Sequence, residues 1–162
     1  INLNNITYDE KYQDYIKVKL ESEKIFYKSG ATCLRVTNIY GNGMSKESII
    51  FEILKKAKNH QSIEIENCQT VRDFISIYDV VNGIYCSVKQ MKNSIYNLAS
   101  GNPMKIHDLA KLINFKVGNK EKVICKKSSF SQITLDISKT EKELEWKPVY
   151  DISSYLDQLI SA

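Results

Sequence analysis

The chain has 162 residues, of which 43% are hydrophobic and 26% charged, the balance of a soluble globular unit rather than a disordered tail. No apolar run approaches the roughly 20 residues needed to cross a bilayer, so no membrane partner is expected. The net charge of +4 is too mild to call for nucleic acid.

Taken in order, the chain alternates between helix and strand patterns. Tyr12 to Lys28 reads as a helix, with Ile16, Leu20, Glu23 and Tyr27 spaced along it and Gly30 just past its end. Ala31 to Val36 is a short strand and Asn38 to Gly43 a turn. Ser45 to Lys58 is a second helix, with Ile49, Ile50, Ile53, Leu54 and Ala57 at core-facing spacing. Ser62 to Ile65 and Phe74 to Tyr78 are short strands by their β-branched and aromatic content. Asp79 is placed to cap a helix carrying Val80, Val81, Ile84, Tyr85 and Val88 on one side, which puts Tyr85 in the core.

Ser94 to Leu98 is a strand, Lys105 to Phe115 a helix and Lys122 to Cys125 a strand. Ser138-Lys139-Thr140-Glu141 has the form of a capping box, opening a helix that ends near Trp146-Lys147-Pro148, where Trp146 packs at the helix end. Ile152 to Ile160 closes the chain as an amphipathic helix. Helices and short strands in turn indicate an α/β architecture, with few strands for a full doubly wound sheet.

Four cysteines, Cys33, Cys68, Cys86 and Cys125, lie far apart without a CxxC pair. That spacing predicts reduced thiols in a cytoplasmic protein rather than a disulfide framework or zinc ribbon. His60 and His107 lack partners at metal spacing, so no metal is expected. The opening Ile1-Asn2-Leu3-Asn4-Asn5 shows no signal-peptide pattern, and the absence of an initiator Met reads as a cut end. The Lys-rich stretch from Lys116 to Lys127 is interrupted by Glu121 and reads as a solvated face.

Among 23 basic residues only Arg35 and Arg72 are arginines. Arg's planar fork grips phosphate or carboxylate as the Lys point charge cannot, although a Lys-rich composition leaves room for two accidental arginines. Tyr15 and Lys19 stand four apart on a predicted helix and share a face. A Lys beside a Tyr hydroxyl lowers its pKa from about 10 and makes it usable as an acid or base. The spacing alone says little, because chance supplies about one such pair in a chain with these Tyr and Lys contents, and Tyr85 and Lys89 form another.

The motifs downstream of the first pair raise it above chance. Tyr15-Ile16-Lys17-Val18-Lys19 leads to Leu34-Arg35-Val36-Thr37-Asn38-Ile39-Tyr40-Gly41, then Arg72-Asp73-Phe74 and Tyr78-Asp79-Val80-Val81. Tyr96-Asn97-Leu98-Ala99-Ser100-Gly101, Leu135-Asp136-Ile137-Ser138-Lys139 and Leu144-Glu145-Trp146-Lys147-Pro148 complete the series. In this order and spacing, from about Tyr12 to Ile160, the chain resembles the C-terminal half of the extended short-chain dehydrogenase/reductases, the NAD-dependent nucleotide-sugar epimerases and dehydratases.

The resemblance implies the end of a Rossmann-type NAD-binding fold plus a small α/β substrate-binding domain. Residues 1–41 and about 71–101 would belong to the Rossmann sheet, and about 42–70 and 102–162 to the substrate-binding domain. Tyr15 matches the family's catalytic Tyr, and Lys19 the Lys that lowers that Tyr's pKa and bonds the cofactor ribose. Asn38 sits where the family's Asn reaches the substrate diphosphate, and Arg72 where its Arg holds a nucleotide phosphate. Ser48 is placed to line the substrate site. Arg35 falls at the end of a strand and takes a mainly structural role, and Asp79 is read as a helix cap rather than an acid.

Departures carry information too. The turn after Tyr40-Gly41 usually continues with Pro and here has Asn42. An Arg that helps bind the nucleotide is replaced by the neighbourhood Lys126-Lys127-Ser128-Ser129-Phe130, where Lys127 is the expected substitute. The Gly-rich strand-turn-helix that receives a dinucleotide pyrophosphate is missing; Gly41-Asn42-Gly43-Met44-Ser45-Lys46 matches neither GxGxxG nor GxxxxGK[ST].

The resemblance therefore implies that the intact protein uses NAD and a UDP-hexose, interconverting 4-epimers through a transient 4-keto sugar in polysaccharide biosynthesis. A 4,6-dehydratase or a reductase is the nearest alternative. It also implies a homodimer through the helix bearing Tyr15, and an isolated 162-residue chain that is inactive and at most binds a nucleotide sugar.

Overall fold

The computed structural model describes residues 10–161; the Ile1–Asn5 opening lies outside them. Helix α1 (Glu10–Lys28) runs into strand β1 (Cys33–Val36) through a turn at Gly30, whose φ of 89° suits glycine. Strand β2 (Asn38–Tyr40) follows at once, where the sequence pattern reads as a turn. Its three residues pair in parallel with β4 (Phe74–Ser76), and this pairing is what makes a strand of them.

Helix α2 (Ile49–Lys58) begins later than its pattern suggests because Ser48 caps it, its side chain accepting from Phe51 N–H at 3.2 Å. Ile50, Ile53, Leu54 and Ala57 form its buried face. Strands β3 (Ile63–Arg72) and β7 (Val123–Ile133) both run far beyond their apolar starts. They pair in parallel over most of their length, with an irregularity between Asn67 and Gln69, and β6 (Met104–Lys105) adds antiparallel to β3. Beyond Ile65 the ladder, not hydrophobic patterning, defines both strands.

Helix α3 (Ile77–Gln90) corrects two expectations. Its N-cap is Ser76, which accepts from Tyr78 N–H at 3.2 Å. Asp79 lies inside the first turn, buried, and its carboxylate accepts the backbone N–H groups of Val149 at 2.9 Å and Tyr150 at 3.1 Å. The chain thus turns the expected cap residue into a clasp for the segment after Trp146. The helix buries Asp79, Val80, Gly83 and Ser87, so the stripe of Val81, Ile84, Tyr85 and Val88 faces outward. Tyr85 is 61% exposed rather than core.

Strand β5 (Ile95–Leu98) pairs in parallel with β1, Cys33 opposite Ile95 and Val36 opposite Leu98. Helix α4 (Ile106–Val117) buries Ile106, Leu109, Ala110 and Ile113 and ends at Gly118. Helix α5 (Ser138–Leu144) is capped at Ile137 without a side-chain bond, and Asp136 accepts from Ser138 N–H at 2.9 Å. The expected box of Ser138 with Glu141 is therefore replaced by an Asp two residues upstream. Helix α6 (Ile152–Ser161) buries Ile152, Tyr155, Leu156 and Leu159.

Two cores result. One gathers α2, α4 and α6 against β3; the other joins Ile75, Val80, Tyr96, Leu98, Leu144 and Trp146. Trp146 is 1% exposed and donates its indole N–H to the Asp79 carbonyl at 3.1 Å. The cysteine expectation is corrected as well. Cys68 and Cys125, 57 residues apart in sequence, are joined as a disulfide because β3 and β7 pair side by side, while Cys33 and Cys86 are free. Among the described residues no helix is long and apolar enough to cross a membrane.

Candidate nucleotide-sugar site

Asn38 starts β2 and Arg72 ends β3, which brings these residues, 34 apart in sequence, to the wall of one cavity of about 520 Å³. Asn38 is oriented by its own backbone partner: its side-chain amide donates to the Asp73 carbonyl at 2.9 Å. The Arg72 guanidinium donates to the Val71 carbonyl at 2.8 Å, and to the Ser131 carbonyl and hydroxyl at 3.3 and 3.2 Å. Asp73 fixes the corner that follows Arg72, between β3 and β4. Buried, it accepts the backbone N–H groups of Ser100 at 2.8 Å and Gly101 at 3.0 Å, tying the Arg72-Asp73 corner to the loop after β5.

The rest of the cavity is more charged than the sequence pattern alone discloses. Glu52 pairs with Lys56 at 2.9 Å and Glu64 with Lys126 at 2.8 Å, all four lining the cavity. The hydrogen bond from Lys126 holds the Glu64 carboxyl below the usual carboxylate range and raises its own ammonium. Lys126 lines the cavity together with Lys56, and the expected Lys127 does not. Lys127 reaches Glu66 at 2.9 Å on an exposed surface, its own side chain 71% exposed. Asn67 and Thr70 also line the wall and were missed; the alternation Ile63-Glu64-Ile65-Glu66 is the signal that marks their strand as one-sided.

Ser48 caps α2 and lines an adjoining cleft of about 440 Å³ with Thr37, Tyr40, Ile77 and the 41–45 loop, rather than the cavity of Asn38 and Arg72. Burial pushes the Tyr40 phenol well above its ordinary range, so it stays a neutral donor, bonded to the Tyr150 carbonyl at 3.3 Å.

Tyr15 and Lys19 lie on α1, with the Lys19 ammonium 5.5 Å from the Tyr15 ring centre and Tyr15 61% exposed. Tyr85 and Lys89 show the same geometry at 5.6 Å, so the pair motif by itself does not discriminate. Position does. Arg35 on β1 holds Glu23 on α1 by two bonds of 2.7 Å, and the Cys33 thiol donates to the Glu23 carbonyl at 3.7 Å. This pairing keeps the Glu23 carboxyl low and gives Arg35 a structural task.

The short turn between them makes α1 run back along β1. Stepping from Glu23 to Tyr15 therefore covers about 12 Å along the helix, in the direction in which the chain advances about 10 Å from Arg35 to Asn38. Tyr15 and Lys19 are thus brought toward the end of β1 at which Asn38 stands. This is the carboxyl end of the parallel strands, where open α/β sheets bind ligands.

Residues 13–99 match the NAD dependent epimerase/dehydratase family. The chain is 30% identical to a dTDP-4-dehydro-6-deoxyglucose reductase of Escherichia coli, over 94% of its length and 49% of the relative's. It is 28% identical to a UDP-glucuronate 4-epimerase of Thermodesulfobacterium geofontis, over 83% of the chain and 43% of that protein. Its fold superposes on a dTDP-glucose 4,6-dehydratase of Bacillus anthracis with a TM-score of 0.81 at 15% identity, covering 99% of the chain and 54% of that structure. A UDP-N-acetylglucosamine 4-epimerase of Bacillus cereus gives 0.79 at 24% identity, covering 99% and 59%. The chain spans about half the length of the relatives it matches. By the match over residues 13–99 and the α/β fold it shares with these structures, the chain belongs to the NAD dependent epimerase/dehydratase family.

Proposed function

We propose that the full-length protein containing this chain acts on a nucleotide sugar, and that it interconverts the 4-epimers of a UDP-hexose. The observation that carries this reading is the convergence of Asn38 and Arg72 on one cavity, with the Tyr15–Lys19 helix directed to the same end of β1. Asn38 and Arg72 hold the diphosphate, the guanidinium as a planar fork and the amide as a neutral donor. Lys126 adds a cation to the same wall. Tyr15 takes the proton of the sugar hydroxyl at its phenolic oxygen as the ring is oxidised and returns it when the ketone is reduced.

Lys19 serves as electrostatic partner to that oxygen and as a hydrogen-bond donor to the cofactor ribose. NAD fits this end of the chain because the Tyr15 side chain is open to solvent beside Lys19, and it supplies reversible hydride acceptance. The side of β1 that has no strand partner among the described residues and the outward stripe of α3 are the surfaces on which the Gly-rich half of the nucleotide-binding sheet would dock. The 162-residue chain alone is then inactive and does not retain NAD. The intact protein would be a cytoplasmic homodimer formed through α1.

The Escherichia coli relative, a reductase, favours a second reading, reduction of a 4-keto sugar bound in the same cavity. The test is Tyr15→Phe in the full-length gene product, assayed with UDP-glucose for epimer formation and with a 4-keto nucleotide sugar for NADH consumption. A loss of about 100-fold or more in turnover is expected. Unchanged turnover removes Tyr15 from the mechanism, and NADH-dependent reduction without epimer formation replaces the first reading by the second.

A further inference from the structure

Strand β7 is exposed along almost its whole length. Val123 packs half-buried against the core at the start of the strand and Ser131 is half-buried; no residue of the strand is fully buried, so beyond Val123 no apolar side chain anchors it. Its ion pairs through Lys126 and Lys127 are solvent-exposed and contribute little to its attachment. The strand nonetheless positions two groups of the candidate site: it carries Lys126 into the cavity, and its Ser131 accepts from Arg72 through both carbonyl and hydroxyl. The backbone ladder that should hold it is interrupted between Asn67 and Gln69.

Cys68 lies within this irregular stretch of β3, and its disulfide reaches β7 at Cys125, which pairs with Ile65 just before the ladder lapses. Cys68, 4% exposed, belongs to the core built on α2, α4 and α6, whereas Cys125 is exposed on β7. One covalent bond therefore fastens an exposed strand to the buried core where regular pairing lapses.

We propose that Cys68 and Cys125 are a redox modification site that sets how tightly the cavity grips a nucleoside diphosphate. The inference rests on the reading of this cavity as the diphosphate site. The oxidised form holds β7, and with it Lys126 and the Ser131 contact to Arg72, in the binding arrangement. The reduced form lets the strand move away from β3.

The chemistry is thiol–disulfide exchange with a small dithiol. A dithiol thiolate attacks the exposed Cys125 sulfur, the Cys68–Cys125 bond breaks, and Cys68 leaves with the electron pair and takes up a proton. The second dithiol sulfur then attacks the mixed disulfide and releases Cys125 as a thiol. The dithiol ends as its own disulfide, two electrons poorer, and the protein gains two electrons and two protons. A small disulfide oxidant drives the reverse.

The test uses the 162-residue chain, equilibrated with oxidised glutathione or with dithiothreitol and trapped by alkylation. After alkylation the oxidised form should weigh less than the reduced form by the two alkyl groups that Cys68 and Cys125 would otherwise carry, and a peptide joining Cys68 to Cys125 should be recovered from it. Titration calorimetry with UDP should show about five-fold weaker binding after reduction, as expected when the binding arrangement is populated about a fifth of the time. Cys125→Ser should bind like the reduced protein under both conditions, which also controls for the free thiols of Cys33 and Cys86.

Equal UDP affinity in the two states overturns the proposal, as does a free Cys68 and Cys125 under oxidising conditions. If UDP binds in neither state, the diphosphate reading of the cavity fails. The redox site is then judged by amide hydrogen exchange: faster exchange in β7 on reduction supports it, and unchanged exchange overturns it.

Discussion

Gly83→Ala sets two effects of opposite sign against each other, and the structure decides between them. Gly83 lies inside α3, where replacing Gly by Ala gains about 1 kcal/mol in helix propensity. A Cβ added there, however, meets Leu98 Cδ2 at 2.8 Å and Cδ1 at 2.9 Å, and the Trp146 indole nitrogen at 3.3 Å. Leu98 and Trp146 are 0% and 1% exposed, so neither can swing into solvent. The displacement passes into Ile75, Val80 and Tyr96, which share their cluster.

Overpacking of this kind costs about 1–3 kcal/mol. Pushing Trp146 also weakens its 3.1 Å bond to the Asp79 carbonyl, worth about 1 kcal/mol. The net is destabilisation of about 1–3 kcal/mol, a fall in Tm of at least about 3 °C for a chain of this size. Trp146 is the protein's one tryptophan and reports the event directly, its fluorescence moving to the red as it leaves the core. A Gly83→Ala variant with an unchanged or raised Tm would refute the packing argument and show that helix propensity decides at this position.

Two further outcomes come from the electrostatics. Arg35 holds the Glu23 carboxyl below its ordinary pKa of about 4.3, so this pair stabilises the fold above that value and its contribution is lost as pH falls through the depressed folded-state pKa. Arg35 is 42% exposed at the side chain, which limits the effect to about 1 kcal/mol or less. Glu23→Gln should lower Tm slightly near neutral pH and match the parent chain in strong acid; a constant difference across that range contradicts the assignment. In the cavity, Lys126→Ala should weaken UDP binding several-fold, measured by calorimetry, whereas Lys127→Ala should leave it unchanged; the reverse order would restore Lys127 as the ligand.

Much of this fold could be read from residue patterns, and the failures have physical reasons. Helices α1, α2, α4 and α6 announce themselves because their apolar residues recur at helical spacing, and β1 and β5 because they are short, largely apolar runs, although their parallel pairing is not in the local sequence. The outer parts of β3 and β7 are polar, and only their mutual pairing makes them strands. In α3 the periodicity of Val81, Ile84, Tyr85 and Val88 identifies a stripe but not which way it faces; the small Gly83 and Ser87 take the inner side.

Motif order singled out Asn38 and Arg72, and the fold brings both to the wall of one cavity. Choosing between Lys126 and Lys127 requires the register of an exposed strand, which local sequence does not contain. Cys68 and Cys125 meet only through the same pairing, so their spacing of 57 residues carried no sign of a bond.

Strand β4 has only three residues, yet it divides its side chains between two interiors. Phe74 enters the core of α2, α4 and α6, and Ile75, the next residue, enters the core of Trp146 and Leu98. Neither interior can loosen without releasing one face of this shared wall. The two cores are thereby mechanically coupled, and the chain should lose its structure in a single cooperative step rather than shedding one half while the other persists.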